Sequence, residues 1–317
     1  MLIRRRRGWE TLESRVTDEH LVLGRRGAIT AGAALLAAAP ACAQQAPPYP
    51  AEPDPAFTAM RNPRFRPERD ITPIRDAATY NNYYEFGSHK GIWPAAQRLP
   101  QRPWTIRIQG MVEREREIGI EEILRIPAEE RVLRLRCVEA WAMTVPWTGF
   151  AMSELLRLAA PLASARYVVF ETAMHRESMS GLRQSWYPWP YTEGCTIEEA
   201  ANELSFVATG MYGRPLPPQN GGPVRILFPW KYGFKSGKSI STIRFTDQRP
   251  GTFWARLQGS EYGFWANVNP EVPHPRWSQA TERLLGSNER VATRLFNGYG
   301  EFVSGLYTNL QHERLWA

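Results

Sequence analysis

The alternation of hydrophobic and polar positions predicts a chain built mainly from short strands. Apolar side chains recur at every second position, or fill short β-branched runs, in six stretches, whereas helical spacing is limited to three brief segments. Strands interspersed with short helices favour the α+β class. The predicted strands are residues 104–112, 133–137, 167–172, 206–212, 224–229 and 240–247, and the predicted helices are residues 120–124, 152–158 and 198–204.

One predicted strand ends in a cysteine with basic neighbours. Arg134 and Arg136 alternate with Leu133 and Leu135, and Cys137 follows where the strand ends. Nearby positive charge stabilises a thiolate over a thiol, and a thiolate attacks electrophiles or binds soft metals. Free cysteine is also among the most buried residue types. These residues alone therefore leave two alternatives, a reactive thiol and a small buried side chain.

The first 43 residues have the pattern of a secretory signal. Arg25 and Arg26 precede an Ala-rich apolar run over residues 28–39, and a Pro-Ala-Cys-Ala end follows. A basic region, a short apolar region and a small-residue end are typical of a cleaved leader, and the run is too short for a membrane span. The arginine pair predicts twin-arginine export, although the two small residues after the pair depart from the usual pattern.

Charge outside this segment is close to balanced. The whole chain has a formal net charge of +7. Residues 1–43 contain seven arginines and four acidic residues, which leaves 32 basic and 28 acidic side chains and a net charge of +4 in the remainder. With no basic helix and no zinc pattern, the sequence does not favour nucleic-acid binding. A small positive excess is compatible with a pocket for an anionic cofactor.

The remaining length predicts an arm followed by one catalytic unit. Residues 44–67 are rich in Pro, Ala and Gln, a composition typical of extended chain. We expect an extended arm over residues 44–78 and one domain over residues 79–317, long enough to bury a sizeable core.

Three cysteines allow few arrangements. Cys42 lies in the signal and is an alternative lipid acceptor, although the residues before it fit that site poorly. Cys137 and Cys195 could form a disulfide in an exported protein. The sequence has no Cys-x-x-Cys and no paired-histidine motif, so spacing predicts no metal cluster.

Two loops could approach a ligand closely. Residues 217–223 contain three prolines and two glycines, which excludes regular structure. Arg225 follows inside an apolar strand, where an unpaired charge is costly, so it needs a local salt bridge or an anionic ligand. Gly237-Lys238-Ser239 matches the end of a P-loop, but the earlier glycine and the following helix are missing. Backbone amides and Lys238 could still hold a phosphate.

Five segments, in the same order, resemble one enzyme family. Residues 136–141, Arg-Cys-Val-Glu-Ala-Trp, resemble the molybdenum-ligand segment of the sulfite-oxidase superfamily. Taken together, the five segments are most similar to one branch of that superfamily, the periplasmic protein-methionine-sulfoxide reductase catalytic subunits. The five segments span most of the chain after residue 78. This resemblance implies a sulfite-oxidase-type molybdopterin-binding fold of mixed sheets and short helices. The other segments are Tyr-Asn-Asn-x-Tyr-Glu-Phe-Gly (80–87), Leu-Pro-Pro-Gln-Asn-Gly (216–221), Pro-Trp-Lys-Tyr-Gly-Phe-Lys (229–235) and His-Pro-Arg-Trp-Ser-Gln-Ala-Thr-Glu-Arg (274–283).

The resemblance also implies a cofactor and the residues that bind it. The cofactor is molybdenum–molybdopterin without an attached nucleotide. Cys137 would be the catalytic residue and the protein's ligand to the metal. The implied pterin and phosphate ligands are Asn81, Tyr84, Glu85, Thr172, Asn220, Arg225, Ser236, Gly237 and Lys238.

The implied reaction is reduction of methionine sulfoxide in oxidised periplasmic proteins. Electrons would come from a haem-bearing, quinol-oxidising membrane subunit, and we expect a monomeric catalytic subunit that binds no nucleic acid. Two alternatives stay open from the sequence. The same centre could oxidise sulfite, which an assay of both substrates separates, or the chain could be a cofactor-free envelope binding protein, which elemental analysis for molybdenum separates.

Export is expected to depend on Arg25 and Arg26. Replacing both by Lys keeps the charge but removes the arginine pair, so the precursor should remain in the cytoplasm. Immunoblots of cytoplasmic and envelope fractions measure this, with Arg15→Lys in the same segment as the matched control. Normal envelope levels of the double variant would contradict the twin-arginine assignment.

Overall fold

In the computed structural model the described residues are 49–316, and their strands form two sheets. The first sheet contains β1 (Thr105–Gly110), β2 (Arg116–Gly119), β5 (Tyr167–Thr172), β6 (Thr192–Thr196) and β10 (Ile240–Thr246). Its spatial order is β2-β1-β10-β5-β6. Strands β1 and β10 are parallel and the other neighbours are antiparallel.

The second sheet carries the cysteine. Its strands are β3 (Glu129–Cys137), β4 (Trp141–Ala151), β7 (Phe206–Met211), β8 (Arg214–Pro215), β9 (Arg225–Leu227), β11 (Thr281–Leu284) and β12 (Arg290–Ala292). The spatial order is β12-β11-β4-β7-β8, with β3 also paired to β4 and β9 also paired to β7. Strand β11 is parallel to β4, so this sheet is mixed as well.

The helices are short, as the sequence predicts. Within the described residues no helix is both long and apolar enough to cross a membrane. Mixed sheets with short helices confirm the predicted fold class. The α-helices are α1 (Ile74–Thr79), α2 (Trp93–Ala96), α3 (Ile120–Ile123), α4 (Met152–Ala159), α5 (Ile197–Ala201), α6 (Phe253–Leu257) and α7 (Gly300–Val303), and the 3-10 turns are Pro55–Phe57, Ser180–Arg183, Pro218–Asn220, Gly233–Lys235, Leu295–Gly298 and Ser304–Tyr307.

Most predicted elements lie where the pattern put them, but β4 was not predicted. Pro146 and Gly149 stand inside this strand and are unusual there, because proline lacks a donor and glycine has no side chain to pack. The Pro146 carbonyl accepts a bond of 2.9 Å from the Tyr212 backbone N–H. A Cβ at Gly149 would lie 1.9 Å from the Val207 carbonyl oxygen. Glycine therefore lets β4 and β7 pair at this bulge.

The β3–β4 hairpin places the cysteine at a turn. Pairing runs from Glu129 opposite Gly149 to Cys137 opposite Trp141, and residues 138–140 form the loop. Ala140 has φ = 62°, the left-handed conformation that three-residue hairpin loops commonly need. The prediction that Cys137 lies where its strand ends is confirmed.

Three buried ion pairs join distant parts of the chain. In each pair both side chains are at most 2% exposed. Such pairs fix the position of a segment, because separating one leaves an uncompensated charge in the interior. The pairs are Arg136–Glu282 at 2.6 Å, Lys231–Glu199 at 2.5 Å and Lys235–Glu193 at 2.6 Å.

Glu193→Gln is expected to lower the free energy of unfolding by about 3–5 kcal/mol, because Lys235 would stay buried without its counter-ion. Equilibrium urea unfolding at neutral pH measures the change. The matched control is Glu154→Gln, whose partner Arg157 is 76% exposed, and which should cost about 0.5 kcal/mol or less. Similar losses of unfolding free energy in the two variants would show that the buried pair stabilises the fold no more than the exposed pair does.

Candidate functional site

A pocket opens beside the end of β3. Its empty volume, including the part open to solvent, is about 920 Å³. Most of its lining comes from three separated stretches, which are the loop after α1, the end of β3 with the β3–β4 turn and the start of β4, and residues 219–238, and four further residues come from elsewhere. The lining residues are Tyr80, Asn81, Asn82, Tyr83, Tyr84, Glu85, Leu135, Arg136, Cys137, Val138, Glu139, Trp141, Met143, Thr172, Tyr191, Gln219, Arg225, Gly233, Phe234, Lys238, Trp254 and Tyr262.

Cys137 faces this pocket with two weak donors near its sulfur. Its Sγ accepts from Asn82 Nδ2 at 3.4 Å and from the Glu139 backbone N–H at 3.5 Å. Burial, together with the nearby Glu139 carboxylate, raises the pKa of the thiol to about 12.

The positive charges near Cys137 do not outweigh its burial. The charges of Lys90 and Arg136 lower the pKa of the thiol, but burial and the Glu139 carboxylate raise it by more. The pocket's own side chains therefore favour the thiol, whereas a coordinating metal cation deprotonates it.

Several buried polar atoms around the pocket lack a hydrogen-bond partner within the described residues. Buried polar groups are rarely left unsatisfied, so a cluster of them indicates a polar ligand. The atoms are Asn81 Oδ1, Tyr83 OH, Glu85 Oε1, Asn220 Oδ1 and Arg225 Nε.

Two cations at the pocket have no carboxylate partner within 4 Å in the described part of the chain. Arg225 is 4% exposed and donates from Nη1 to the Asn220 carbonyl at 2.8 Å. Burial lowers its pKa to about 10. Burial and the charge of Arg225 lower the pKa of Lys238 to about 8. The salt bridge that was the alternative role for Arg225 is not formed, and both cations are available to an anion.

Gly221 lets these two side chains approach each other. Its φ is 98°, in the left-handed region that favours glycine. A Cβ there would lie 2.9 Å from Lys238 Cβ and 3.2 Å from Arg225 Cβ. The Pro- and Gly-rich loop predicted from the sequence thus brings two cationic side chains against one backbone position.

Glu85 completes the polar wall. Burial raises the pKa of its carboxyl to about 7, against the lowering effects of the Lys238 charge and of a hydrogen bond with Thr172. The Gly181 backbone N–H donates to the Glu85 carbonyl at 2.7 Å. A Cβ at Gly181 would lie 2.1 Å from the Tyr84 carbonyl oxygen, so this contact depends on glycine.

The pocket brings together most of the residues expected from the sequence, but three of them lie outside its lining. Asn220 stands behind Arg225, and its Nδ2 donates to the Ala77 carbonyl at 2.9 Å. Ser236 Oγ accepts from the Phe228 N–H at 3.3 Å, and the Gly237 carbonyl accepts from the Ile226 N–H at 2.9 Å. The expected residues that do line it are Asn81, Tyr84, Glu85, Cys137, Thr172, Arg225 and Lys238.

A polar group beside the sulfur was missed by sequence reasoning. Lys90 Nζ forms an ion pair with Glu139 Oε2 at 2.5 Å and also donates to Asn82 Oδ1. Asn82 Nδ2 and Trp141 Nε1 donate to Glu139 Oε2 at 3.2 and 3.0 Å. Burial raises the Glu139 pKa, but the Lys90 and Trp141 hydrogen bonds outweigh it and lower that pKa. Asn82 and Glu139 stand in the family-like segments, which was the available signal.

Aromatic rings form another part of the wall, and of these the sequence singled out only Tyr84. Tyr84 and Trp254 have ring centroids 5.0 Å apart, Trp254 and Tyr262 5.1 Å, and Tyr262 and Phe234 5.4 Å. Aromatic residues near the carboxyl terminus show no periodic spacing, so no sequence pattern assigned Trp254 or Tyr262 to a site.

A protein-family model matches the middle of the chain. The model for the oxidoreductase molybdopterin binding domain matches residues 93–254. That range includes β3, Cys137 and both unpaired pocket cations.

Curated relatives match nearly the whole chain. The protein-methionine-sulfoxide reductase catalytic subunit MsrP of Xanthomonas axonopodis pv. citri is 45% identical over 94% of this chain and 95% of its own. MsrP of Ralstonia nicotianae is 42% identical over 96% of each chain, and MsrP of Burkholderia mallei is 46% identical over 80% of this chain and 78% of its own. The solved sulfane dehydrogenase SoxCD from Paracoccus pantotrophus aligns with a TM-score of 0.47 and 17% identity, covering 64% of this chain and 51% of that chain.

Proposed function

The chain belongs to the family of protein-methionine-sulfoxide reductase catalytic subunits, molybdopterin oxidoreductases, and from this premise we propose that it reduces methionine sulfoxide in oxidised periplasmic proteins. The observation that carries the proposal is a pocket in which one thiol, Cys137, shares a cavity with two unpaired buried cations, Arg225 and Lys238. A soft metal ligand at one place and an anion site at another fit a metal–pterin cofactor with a phosphate.

The pocket fits that group at its polar atoms. Arg225 and Lys238 would hold the phosphate, and the unpartnered oxygens of Asn81 and Glu85 would accept from the pterin's N–H groups. Tyr84 and Thr172 would line the same wall, while Asn220, Ser236 and Gly237 would keep the surrounding backbone in place. When bound through Cys137, molybdenum–molybdopterin without a nucleotide supplies two-electron oxygen-transfer chemistry.

The aromatic wall supports the sulfoxide of a methionine side chain as the substrate. The aromatic wall of Tyr84, Trp254 and Tyr262 suits a thioether-like side chain, because sulfur packs favourably against ring edges. Glu139 also lines the pocket, but its carboxylate is paired with Lys90 Nζ at 2.5 Å, so its charge does not by itself select against sulfite.

Release of the sulfoxide oxygen as water requires two protons. Lys90 Nζ carries protons and is hydrogen-bonded to Asn82 Oδ1 and Glu139 Oε2. Asn82 Nδ2 in turn contacts the Cys137 sulfur at 3.4 Å. The Lys90 ammonium and the Glu139 carboxylate thus place a proton donor in contact with a proton acceptor, and Glu139 lines the pocket beside the thiol.

The relatives' name, catalytic subunit, implies a partner subunit. We infer a haem-bearing, quinol-oxidising membrane subunit as electron donor, because oxygen removal consumes two electrons per turnover. The predicted signal, residues 1–43, lies outside the described residues, and periplasmic export with an arm over residues 44–78 and a catalytic domain over residues 79–317 stays part of the proposal. Assay of the purified protein with methionine sulfoxide and with sulfite tests the substrate directly, and exclusive sulfite oxidation would overturn the assignment.

Arg225→Met should lose cofactor without unfolding. The variant keeps side-chain volume but removes the charge, which should cost about 2–5 kcal/mol of phosphate binding, as truncated buried charge pairs do. Metal analysis and pterin fluorescence of purified protein measure the content, with Arg244→Met on β10, outside the pocket, as the control. Full molybdenum and pterin content in Arg225→Met would contradict the role.

Cys137→Ser and Cys195→Ser should differ sharply. Both cysteines are free, so no disulfide joins them. Serine offers a hard hydroxyl in place of a soft thiolate, so Cys137→Ser should lose turnover and the thiolate-to-metal absorption while retaining pterin. Cys195 is fully buried outside the pocket, and its replacement should cost only about 1 kcal/mol of stability. Normal activity in Cys137→Ser would end the metal-ligand assignment.

A further inference from the structure

Residues 274–283 carry one of the five family-like segments, yet none of them lines the pocket. Their side chains and backbone instead contact the β3–β4 turn, which carries Cys137. The Val138 carbonyl accepts from Trp277 Nε1 at 2.7 Å and from Gln279 Nε2 at 2.8 Å. The Ala140 carbonyl accepts from the Arg283 backbone N–H at 3.0 Å.

The carbonyl of Cys137 is also connected to residues 274–283, through the side chain of Arg136. It accepts from the Arg136 guanidinium and, at 3.1 Å, from the Ala140 backbone N–H. Arg136 is fully buried and donates to Gln279 Oε1 at 2.8 Å. Gln279 therefore supports two consecutive carbonyls, one directly and one through Arg136.

Trp277 is fixed in turn by its neighbours. Its indole stacks on the His274 ring with centroids 3.9 Å apart and planes 12° from parallel. The Arg276 guanidinium lies 4.9 Å from the Trp277 ring centroid and is paired with Glu261 at 2.7 Å. The indole N–H that points at Val138 thus has little freedom to turn away.

We propose that Trp277 and Gln279 are positioning residues that aim the Cys137 thiol at the cofactor by holding the Val138 carbonyl. Cys137 is the last residue of β3 that pairs with β4, and its partner is Trp141. Strand pairing does not hold the three-residue loop that follows, and rotation of the peptide groups in this loop would change the direction of the sulfur. Metal ligands work within narrow limits of geometry, and their orienting partners matter for that reason. The inference rests on the proposed role of Cys137 as metal ligand.

Two near-isosteric variants of the holoenzyme test the proposal. Trp277→Phe keeps a ring for the His274 stack and removes only the N–H donor. Gln279→Glu keeps an acceptor for Arg136 and replaces the donor to Val138 by an oxygen. Trp189→Phe is the matched control, because this partly buried indole outside the pocket also donates to a backbone carbonyl, that of Gln184 at 3.0 Å.

The decisive readouts are the thiolate-to-metal absorption and the electron paramagnetic resonance spectrum of the metal, which a merely structural role would leave unchanged. We expect both spectra to shift in Trp277→Phe and Gln279→Glu, and kcat to fall about 10-fold in each and towards 100-fold in the double variant. Molybdenum content and KM should stay close to wild type in both variants, and so should the unfolding midpoint of Trp277→Phe. Gln279→Glu puts a carboxylate in the interior and should also lower the midpoint, and Trp189→Phe should match wild type throughout.

Unchanged spectra with normal kcat in the double variant would overturn the proposal. So would a loss of kcat that follows a lower unfolding midpoint while the spectra stay the same, or an equal spectral shift in Trp189→Phe. A failure of the proposed function would be detected in a different variant, Cys137→Ser. If Cys137→Ser retains the thiolate-to-metal absorption, then the ligand assignment itself is wrong, whatever the Trp277 and Gln279 variants show.

Discussion

The cost of placing charge in the protein interior governs how this molecule is arranged. Lys231, Lys235 and Arg136 are each buried and each matched by a glutamate from a distant segment. Arg225 and Lys238 depart from that rule beside the pocket, and unmatched cations persist in an interior when a ligand supplies the counter-charge. Arg134 is buried without an ion pair in the described residues as well, but it lies outside the pocket lining. The structural pairs hold the scaffold, and the two pocket cations without an ion pair are where the anionic group of the proposed cofactor would bind.

The pocket is assembled from stretches that are far apart in sequence, and each stretch contributes a different kind of group. The loop after α1 contributes amide and carboxyl oxygens, the β3–β4 turn contributes the thiol, and the segment after β8 contributes the cations. Each stretch is anchored by contacts that a side chain would disrupt, such as those at Gly181 and Gly221. A cavity built in this way is largely formed before any ligand enters it, so little binding energy is lost in ordering its walls.

Sequence reasoning recovered what depends on local pattern and lost what depends on distant partners. A run of β-branched and aromatic residues located β5, and period-two alternation located the end of β3, because both signals depend only on neighbouring positions. Strand β4 was missed because Pro146 and Gly149 break the local pattern, and only the bulge against β7 shows why they are tolerated. The sequence left the ionisation of Cys137 open, because the burial that raises its pKa comes from segments distant in the chain. The roles of individual pocket residues remain predictions, since family-like segments locate them without showing what they hold.

The high pKa of Cys137 has a consequence for the chain's chemical durability. Oxidants and alkylating agents react with thiolate, so a cysteine kept protonated by burial and by a neighbouring carboxylate reacts slowly. A freely ionising cysteine in an oxidising compartment would progress to sulfenic and then sulfinic acid and could no longer ligate a metal. Burial and the Glu139 carboxylate, which raise this pKa, therefore slow oxidation of the metal-free Cys137 thiol. A chain whose proposed task is to reverse oxidation at one kind of sulfur thus shields its own from the same damage.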